Sequence, residues 1–223
     1  MAGNSNQIYL DHAATTPMVQ PAITALTTQI LKTGNASSLH TTGRSVRKEL
    51  EEAREAIAKA AGCVASEVIF TGSGTEANNL AIKGLYWLGA KSGKKTIITS
   101  TFEHHAVMDP IKWLADHEGA TVLEIPVSKS GEIDLDKLKQ AVEKHGSQTA
   151  LISIMHANNE IATLIPLEQV ASLCRTHGAY FHSDTVQTMG HYAFDLKALD
   201  IDFITCAAHK FHGPKGIGFL YVN

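Results

Sequence analysis

The chain has 223 residues and 44% hydrophobic content, enough to bury a substantial core in one large α/β domain or two small ones. Its 19 basic and 22 acidic residues give a net charge of −3 without a basic run, which argues against nucleic acid and anionic membranes as partners. No stretch approaches the roughly 20 apolar residues of a membrane span, and residues 1–10 lack the pattern of a signal peptide. Scattered cysteines indicate a reducing compartment, so we expect a cytoplasmic protein without disulfides; they are Cys63, Cys174 and Cys206.

Short apolar strands alternate with helical patterns along most of the chain. An apolar stripe at helical spacing predicts a helix over 45–61, with one face formed by Val46, Leu50, Ala53, Ile57 and Ala60. Strands are predicted at 67–71, 96–100, 120–125, 149–155, 179–184, 202–208 and 216–223. Further helices are predicted between them at 77–88, 107–114, 135–142 and 166–177, with Asp134 as an N-cap and Pro166 at a helix start.

The alternation of strands and helices predicts an α/β fold with a mostly parallel central sheet and helices on both faces. The apolar run at 149–155 is typical of a strand that is buried on both faces. The last two strands are too close in sequence for a helical crossover, so they are predicted to be antiparallel. We expect residues 1–223 to form one large domain with an N-terminal arm at about 1–40. Because the chain ends directly after a predicted strand, we also expect it to be part of a longer protein.

Five predicted strands are followed by polar residues that are capable of chemistry. Ligands of open α/β sheets bind outside the carboxyl ends of the strands, so these residues are expected to lie together. A single shared site explains them better than scattered loop polarity does. The segments are Gly72–Glu76, Thr101–His105, His156–Glu160, Asp184–Gln187 and His209–Lys210.

Each of these residues also has a structural interpretation when it is taken alone. The backbone N–H groups of 72–76 suit a phosphate group at a helix start, but the segment equally fits a flexible turn with Thr75 as the cap. Asp184 fits the cap of a turn, and ordinary loop positions would explain His104, His105, Asn158 and Asn159. Lys210 lies between an apolar strand and a Gly-Pro pair, where partial burial would lower the pKa of its amine.

Together, these groups match the requirements of pyridoxal 5′-phosphate. This cofactor needs a phosphate cradle, a carboxylate for its ring nitrogen, a histidine on the ring face and a lysine that forms an imine with its aldehyde. The carboxylate keeps the pyridine nitrogen protonated, so the ring withdraws electrons from the substrate Cα. Lys210 is therefore predicted to be the imine-forming lysine.

Seven segments of the chain resemble the cysteine desulfurases, in the class V aminotransferase group of fold-type I pyridoxal-phosphate enzymes. They follow the family's order along the whole chain, and together they are highly specific. They are IYLDHAATTP (8–17), GNASSLH (34–40), IFTGSGTEANNLAIKG (69–84), EHHAV (103–107), MHANNEIATLIP (155–166), HSDTVQTMG (182–190) and AAHKFHGPKGIGFLYV (207–222). The resemblance implies the large, cofactor-binding domain of a fold-type I transferase.

The resemblance also implies roles for four residues around the cofactor ring. Lys210 resembles the Schiff-base lysine, and Asp184 resembles the partner of the pyridine nitrogen. His104 resembles the histidine that stacks on the ring and acts as an acid or base. Gln187 resembles the donor to the phenolic oxygen of the ring.

Five further residues match positions that hold the phosphate or the substrate in the family. Gly74 and Thr75 resemble phosphate ligands, with His209 beside them. Asn159 matches a residue near the phenolic oxygen and the substrate carboxylate, and Asn35 matches a residue near that carboxylate. The resemblance implies no metal.

Two positions depart from the family pattern. Ala207 stands where many relatives have a serine that binds the phosphate, so this site is expected to lack one hydrogen bond, worth about 1 kcal/mol net. Ala36 replaces the usual proline after Asn35, which affects loop stiffness more than chemistry.

By this resemblance, the parent enzyme is a homodimer that converts L-cysteine to L-alanine and forms an enzyme persulfide. The sulfur then passes to an acceptor or scaffold protein for iron–sulfur clusters or thiolated products. The family's acceptor cysteine, its carboxylate-binding arginine and its small C-terminal domain would all lie beyond Asn223. We therefore expect the 223-residue chain alone to lack desulfurase activity, while cofactor binding by this chain alone stays open at this point.

Other functions stay open at this point. GSGTEA (72–77) fits a nicotinamide-binding turn, but the acidic residue expected about 20 positions later is missing, because Glu103 lies beyond the next strand. A metal hydrolase would use His182, Asp184 and His209, although the chain has no histidine pair at i and i+4 on a helix. A selenocysteine lyase and an inactive or split cofactor-binding fragment are further alternatives.

Overall fold

The computed structural model describes residues 8–223, so the first seven residues of the predicted arm lie outside the described part. Seven α-helices are present in the described range: α1 (Gln20–Ile30), α2 (Thr41–Ala61), α3 (Gly74–Ala90), α4 (His105–Glu118), α5 (Leu135–His145), α6 (Leu167–Thr176) and α7 (Leu196–Leu199). Seven strands alternate with them: β1 (Val68–Thr71), β2 (Thr96–Ser100), β3 (Thr121–Ile125), β4 (Thr149–Ser153), β5 (Phe181–Asp184), β6 (Phe203–Ala207) and β7 (Gly218–Val222).

The strands form one seven-stranded sheet in the order β1-β7-β6-β5-β4-β2-β3. The pairs β2/β3, β2/β4, β4/β5 and β5/β6 are parallel. β7 lies between β1 and β6 and is antiparallel to both. The predicted fold class is therefore confirmed, including the antiparallel pairing of the last two strands.

Helices cover both faces of the sheet, and neighbouring residues of a central strand point into different core clusters. Leu151 of β4 packs with residues of α3 and α4, whereas Ile152 packs with residues of α2, α5 and α6. Ile97 and Ile98 of β2 divide in the same way. This alternation follows from the two-residue period of a strand, and it explains why the strands of the sheet centre are continuous apolar runs.

Several helices begin at a residue whose side chain accepts a hydrogen bond from a backbone N–H group of the first turn. Ser73 caps α3 by accepting from the N–H of Glu76 at 3.1 Å, and Asp134 caps α5 by accepting from Lys137 at 2.9 Å. The cap at Asp134 was predicted, whereas α3 begins at Gly74, three residues before the predicted start. Helix α1 was not predicted, although Ile23, Leu26 and Ile30 recur at helical spacing; none of its residues is buried. Within residues 8–223, no helix has both the length and the apolar character that crossing a membrane requires.

Candidate active site

A cavity of about 250 Å³ lies at the carboxyl ends of the parallel strands. The start of α3, the loop after β2 and the ends of β4, β5 and β6 form its walls. All eight residues that were expected to hold the cofactor line it: Gly74, Thr75, His104, Asn159, Asp184, Gln187, His209 and Lys210. The structure thus brings these residues to one place, and the role of each stays a prediction.

Asp184 ends β5 with a buried carboxylate that two donors hold in place. The N–H of Val186 donates to Oδ1 at 2.9 Å, which closes a local turn of the kind that the structural interpretation predicted. Asn78 Nδ2, one turn into α3, donates to Oδ2 at 2.7 Å. Burial raises the pKa of Asp184, while these two hydrogen bonds and the nearby His104 and Lys210 oppose the rise.

Lys210 follows β6 and points its amine toward the N-terminal arm. Its Nζ donates to the backbone carbonyl of Ala13, which also accepts from Gln187 Nε2 at 3.0 Å. Partial burial lowers the pKa of Lys210, and the carboxylates of Asp184 and Asp11 act in the opposite direction. A lowered pKa makes the free amine more available, as a nucleophilic lysine requires.

The arm is joined to the lysine-bearing loop by several hydrogen bonds. The carbonyl of His209 accepts from both the N–H and the hydroxyl of Thr16, at 2.8 and 2.9 Å. Thr15 Oγ1 lies 3.1 Å from Nδ1 of the same histidine, and the N–H of His212 donates to Thr16 Oγ1 at 2.6 Å. The arm therefore holds the loop that carries His209 and Lys210, two residues that line the cavity.

The first turn of α3 offers free backbone donors to the cavity. Glu76 Oε2 accepts from the N–H of Gly72 at 2.7 Å, and Ser73 caps the helix, so the alternative interpretation with Thr75 as the cap is wrong. The N–H groups of Gly74 and Thr75 have no acceptor within the described residues. Such free N–H groups and the positive end of the helix dipole favour an anion.

A glycine is required at position 74 by the close approach of neighbouring side chains. A Cβ there would lie 2.9 Å from Val186 Cγ2 and 3.4 Å from the Ala207 methyl group. Ala207 lies at the cavity wall beside this helix start and offers no hydroxyl to a bound group.

His104 is the N-cap of α4, and its ring orientation is fixed by the backbone. Nδ1 accepts from the N–H of Ala106 at 3.0 Å, so the ring presents Nε2 to its other side. The preceding residue, Glu103, accepts from the N–H of Met155 at 2.9 Å and from the Ser100 hydroxyl, which joins this loop to the end of β4. Burial raises the pKa of Glu103 to about 8.

The three asparagines named from the sequence occupy different places. Asn158 stabilises its own turn, since Oδ1 accepts from the N–H groups of Glu160 and Ile161 at 2.8 and 3.0 Å. Asn159 lies at the cavity and donates to Glu160 Oε1 at 2.7 Å. Asn35 does not line the cavity; its Oδ1 accepts from the N–H of Ser37 at 2.9 Å.

The residues proposed for a metal hydrolase do not form a metal site. Both ring nitrogens of His182 are engaged in the core, with Ser153 Oγ at 2.9 Å and Thr205 Oγ1 at 3.0 Å. Burial lowers the pKa of His182 to about 3, so the ring is a neutral core group. Residues 8–223 contain no cluster of three or more metal-ligating side chains.

The sequence analysis did not identify Asn78 as a site residue, and it did not predict the hydrogen bond from the Met155 N–H to Glu103. Asn78 lies four positions after Gly74, so a helix starting at Gly74 places both on one face. This spacing is the sequence signal that could have identified Asn78. No local sequence pattern predicts the contact between Glu103 and Met155, because the two residues follow different strands, β2 and β4.

Comparison with known proteins places the chain in a family. The aminotransferase class-V family matches residues 8–223. An IscS-like cysteine desulfurase from Mycobacterium tuberculosis is 45% identical over 217 residues, which cover 96% of this chain and 55% of that protein. A solved structure of a NifS-like protein has a TM-score of 0.91 and 36% identity, and one of SspA in complex with cysteine has 0.90 and 33%.

Both structural similarities cover 97% of this chain, and they cover 59% and 61% of the two solved chains. The present chain thus spans a little over half the length of the proteins it matches. The resemblance to cysteine desulfurases, first drawn from the seven sequence segments, is confirmed. The chain belongs to the aminotransferase class-V family.

Proposed function

We propose that this chain is the cofactor-binding part of a cysteine desulfurase that uses pyridoxal 5′-phosphate to convert L-cysteine into L-alanine and an enzyme persulfide. One observation carries the proposal: an amine of lowered pKa, a buried carboxylate and the free N–H groups of a helix start share one cavity. The relatives named as cysteine desulfurases support the choice of reaction.

The residues at the cavity fit this cofactor in their chemistry. Gly74 and Thr75 would hold the phosphate with the free backbone N–H groups of the helix start. Asp184 would face the ring nitrogen, and Gln187 would face the phenolic oxygen. His104 would lie on the ring face, with its ring held by the hydrogen bond from the Ala106 N–H to Nδ1.

When bound, the cofactor supplies an electron-withdrawing ring that stabilises negative charge at the substrate Cα. The protein's part is to orient groups and move protons. The Asp184 carboxylate would favour a positive charge on the ring nitrogen, because the interaction of a buried charge is only weakly screened. The Lys210 amine would bind the aldehyde carbon and would take or return a proton at Cα, and Nε2 of His104 would act as an acid or base.

L-Cysteine as the substrate is supported by the solved structure of SspA in complex with cysteine, which shares the fold. Asn159 lies at the cavity where it would reach the substrate carboxylate. Asn35 would be a second contact to the substrate carboxylate if its segment moved toward the cavity.

The thiols of this chain are poorly suited to accept the sulfur. Burial raises the pKa of Cys63 to about 11, and burial also raises the pKa of Cys174 and of Cys206. A sulfur acceptor must be a thiolate that can reach the substrate, so none of these residues fits the role. This supports the expectation that the chain alone does not turn over cysteine.

The parent enzyme is proposed to act as a cytoplasmic homodimer that passes sulfur to an acceptor or scaffold protein for iron–sulfur clusters. Large apolar side chains along the arm support a covering partner surface: Ile8, Leu10 and Leu39 are each more than four-fifths exposed.

The proposed function is tested by adding L-cysteine to the chain loaded with pyridoxal 5′-phosphate. We expect the visible absorption of the bound cofactor to change with L-cysteine, and we expect no repeated release of alanine. L-Serine, which has no sulfur, serves as the control ligand. Absence of any spectral response to L-cysteine would contradict the proposed substrate, and sustained alanine release would contradict the inactivity of the isolated chain.

A further inference from the structure

Asn78 is a fully buried residue of α3 that touches the cavity and contacts Asp184. We propose that Asn78 is a positioning residue that fixes the Asp184 carboxylate in the orientation and charge state that pairs with the ring nitrogen of the cofactor. This inference rests on the proposed function, because it assigns a purpose to the carboxylate at the same site.

The geometry gives Asp184 one local donor and one distant donor. Val186 is two residues away, so its N–H moves with the strand end and cannot by itself fix the carboxylate relative to the cavity. Asn78 is 106 residues away, on a helix that packs across the sheet. Its amide therefore ties the carboxylate to the same helix whose first turn offers the phosphate donors.

Each oxygen of Asp184 retains acceptor capacity after these bonds, since a carboxylate oxygen has two lone pairs. Oδ1 is engaged by Val186 and Oδ2 by Asn78, which leaves room for one more donor from the cavity. A protonated ring nitrogen is such a donor. A neutral Asp184 would instead carry an O–H group, which donates a hydrogen bond where the charged carboxylate would accept one from the ring nitrogen.

The second amide atom of Asn78 gives an independent observation. Oδ1 is buried and has no hydrogen-bond partner within the described residues. Reversing the amide would turn this oxygen toward the carboxylate of Asp184, and two acceptors would then repel each other. In the observed orientation the Asn78 amide donates to the Asp184 carboxylate, while Oδ1 of Asn78 is left without a hydrogen bond among the described residues.

The electrostatic surroundings make this donor necessary. Burial favours the neutral form of Asp184, and the ionisable groups nearby are His104, Lys210, Glu103 and Cys206. His104 and Lys210 favour the charged form of Asp184, whereas a charged Glu103 would oppose it. The Asn78 amide adds a neutral donor whose effect does not depend on pH.

The test compares Asn78→Leu, which keeps the approximate volume without a donor, with Asn79→Ala on the next position of the same helix. Asn79 donates to the Thr75 carbonyl at 3.0 Å and does not reach Asp184, so it is a matched control. Asn78→Ala is a second variant in case the leucine disturbs folding, and circular dichroism identifies folded protein.

The first readout uses the chain without cofactor. The ¹³Cγ signal of Asp184 is followed by NMR across a pH titration. The titration midpoint of Asp184 is expected to shift upward in Asn78→Leu and to stay unchanged in Asn79→Ala. The second readout is the dissociation constant of pyridoxal 5′-phosphate, expected to rise about tenfold or more in Asn78→Leu, as for loss of a hydrogen bond to a charged group.

The two readouts separate this inference from the proposed function. If the unaltered chain binds no pyridoxal 5′-phosphate, the proposed function fails, and the titration of Asp184 still decides whether Asn78 controls the carboxylate. An unchanged midpoint in both Asn78 variants overturns the inference. Equal loss of cofactor affinity in the Asn79→Ala control would also overturn it, since the effect would then be one of helix structure.

Discussion

At the residue scale, Glu103 links two strand ends and carries a pKa that burial raises to about 8. Its value in the unfolded chain is near 4.5, so the unfolded chain loses this proton at lower pH than the folded chain does. The free energy of unfolding therefore falls as the pH rises through the window between these two values. Below and above that window, this residue contributes no pH dependence.

Replacing Glu103 with Gln is expected to remove this fall in stability. The free energy of unfolding, measured with urea from about pH 5 to about pH 9, should decline less steeply for Glu103→Gln than for the unaltered chain. Glu124→Gln on the exposed surface of β3 is the control and should keep the original slope. Parallel curves for Glu103→Gln and the unaltered chain would show that the carboxyl group is not held neutral by burial.

Ala207 offers a second residue-scale prediction, because its methyl group lies beside the start of α3. Ala207→Ser would place a hydroxyl where the phosphate is expected, and one added hydrogen bond is worth about 1 kcal/mol, or roughly fivefold in affinity. The measurement is the dissociation constant of pyridoxal 5′-phosphate. Pyridoxal, which lacks the phosphate, is the control ligand, and an equal gain for both ligands would contradict a phosphate contact.

At the scale of elements, helices α1 and α4 are predicted to contribute unequally to stability. Leu114 of α4 is fully buried, whereas Leu26 of α1 is 39% exposed. Leu114→Ala is expected to cost about 2–5 kcal/mol of unfolding free energy, and Leu26→Ala less than about 1 kcal/mol. Urea unfolding of the two variants measures both values. A large loss for Leu26→Ala would mean that α1 packs more tightly than this structure indicates.

The boundaries of the elements show where sequence patterns suffice and where they do not. Strands at the sheet centre were found because burial on both faces makes them apolar throughout. The predicted strand at 149–155 ends at Ser153, since the N–H of Met155 donates to Glu103 instead of to a neighbouring strand. Helix α1 was missed although its apolar residues follow the helical period, and none of them is buried.

At the scale of the whole molecule, the site was predictable to the extent that sheet geometry determines it. Parallel strands bring their carboxyl ends together, so polar residues after those ends converge, as Asp184 and Lys210 do. Contacts between distant elements were not predictable. The carbonyl of Ala13 meets Lys210 only because the arm binds the loop after β6, and Asn78 meets Asp184 only because α3 packs across the sheet.

The most direct test of the central claim is to add pyridoxal 5′-phosphate to the chain, reduce with borohydride and map the modified peptide by mass spectrometry. We predict a pyridoxyl adduct on Lys210 that disappears in Lys210→Ala and persists in Lys215→Ala, a nearby exposed lysine. An adduct spread over surface lysines, or no adduct at all, would contradict the claim that this cavity is the cofactor site.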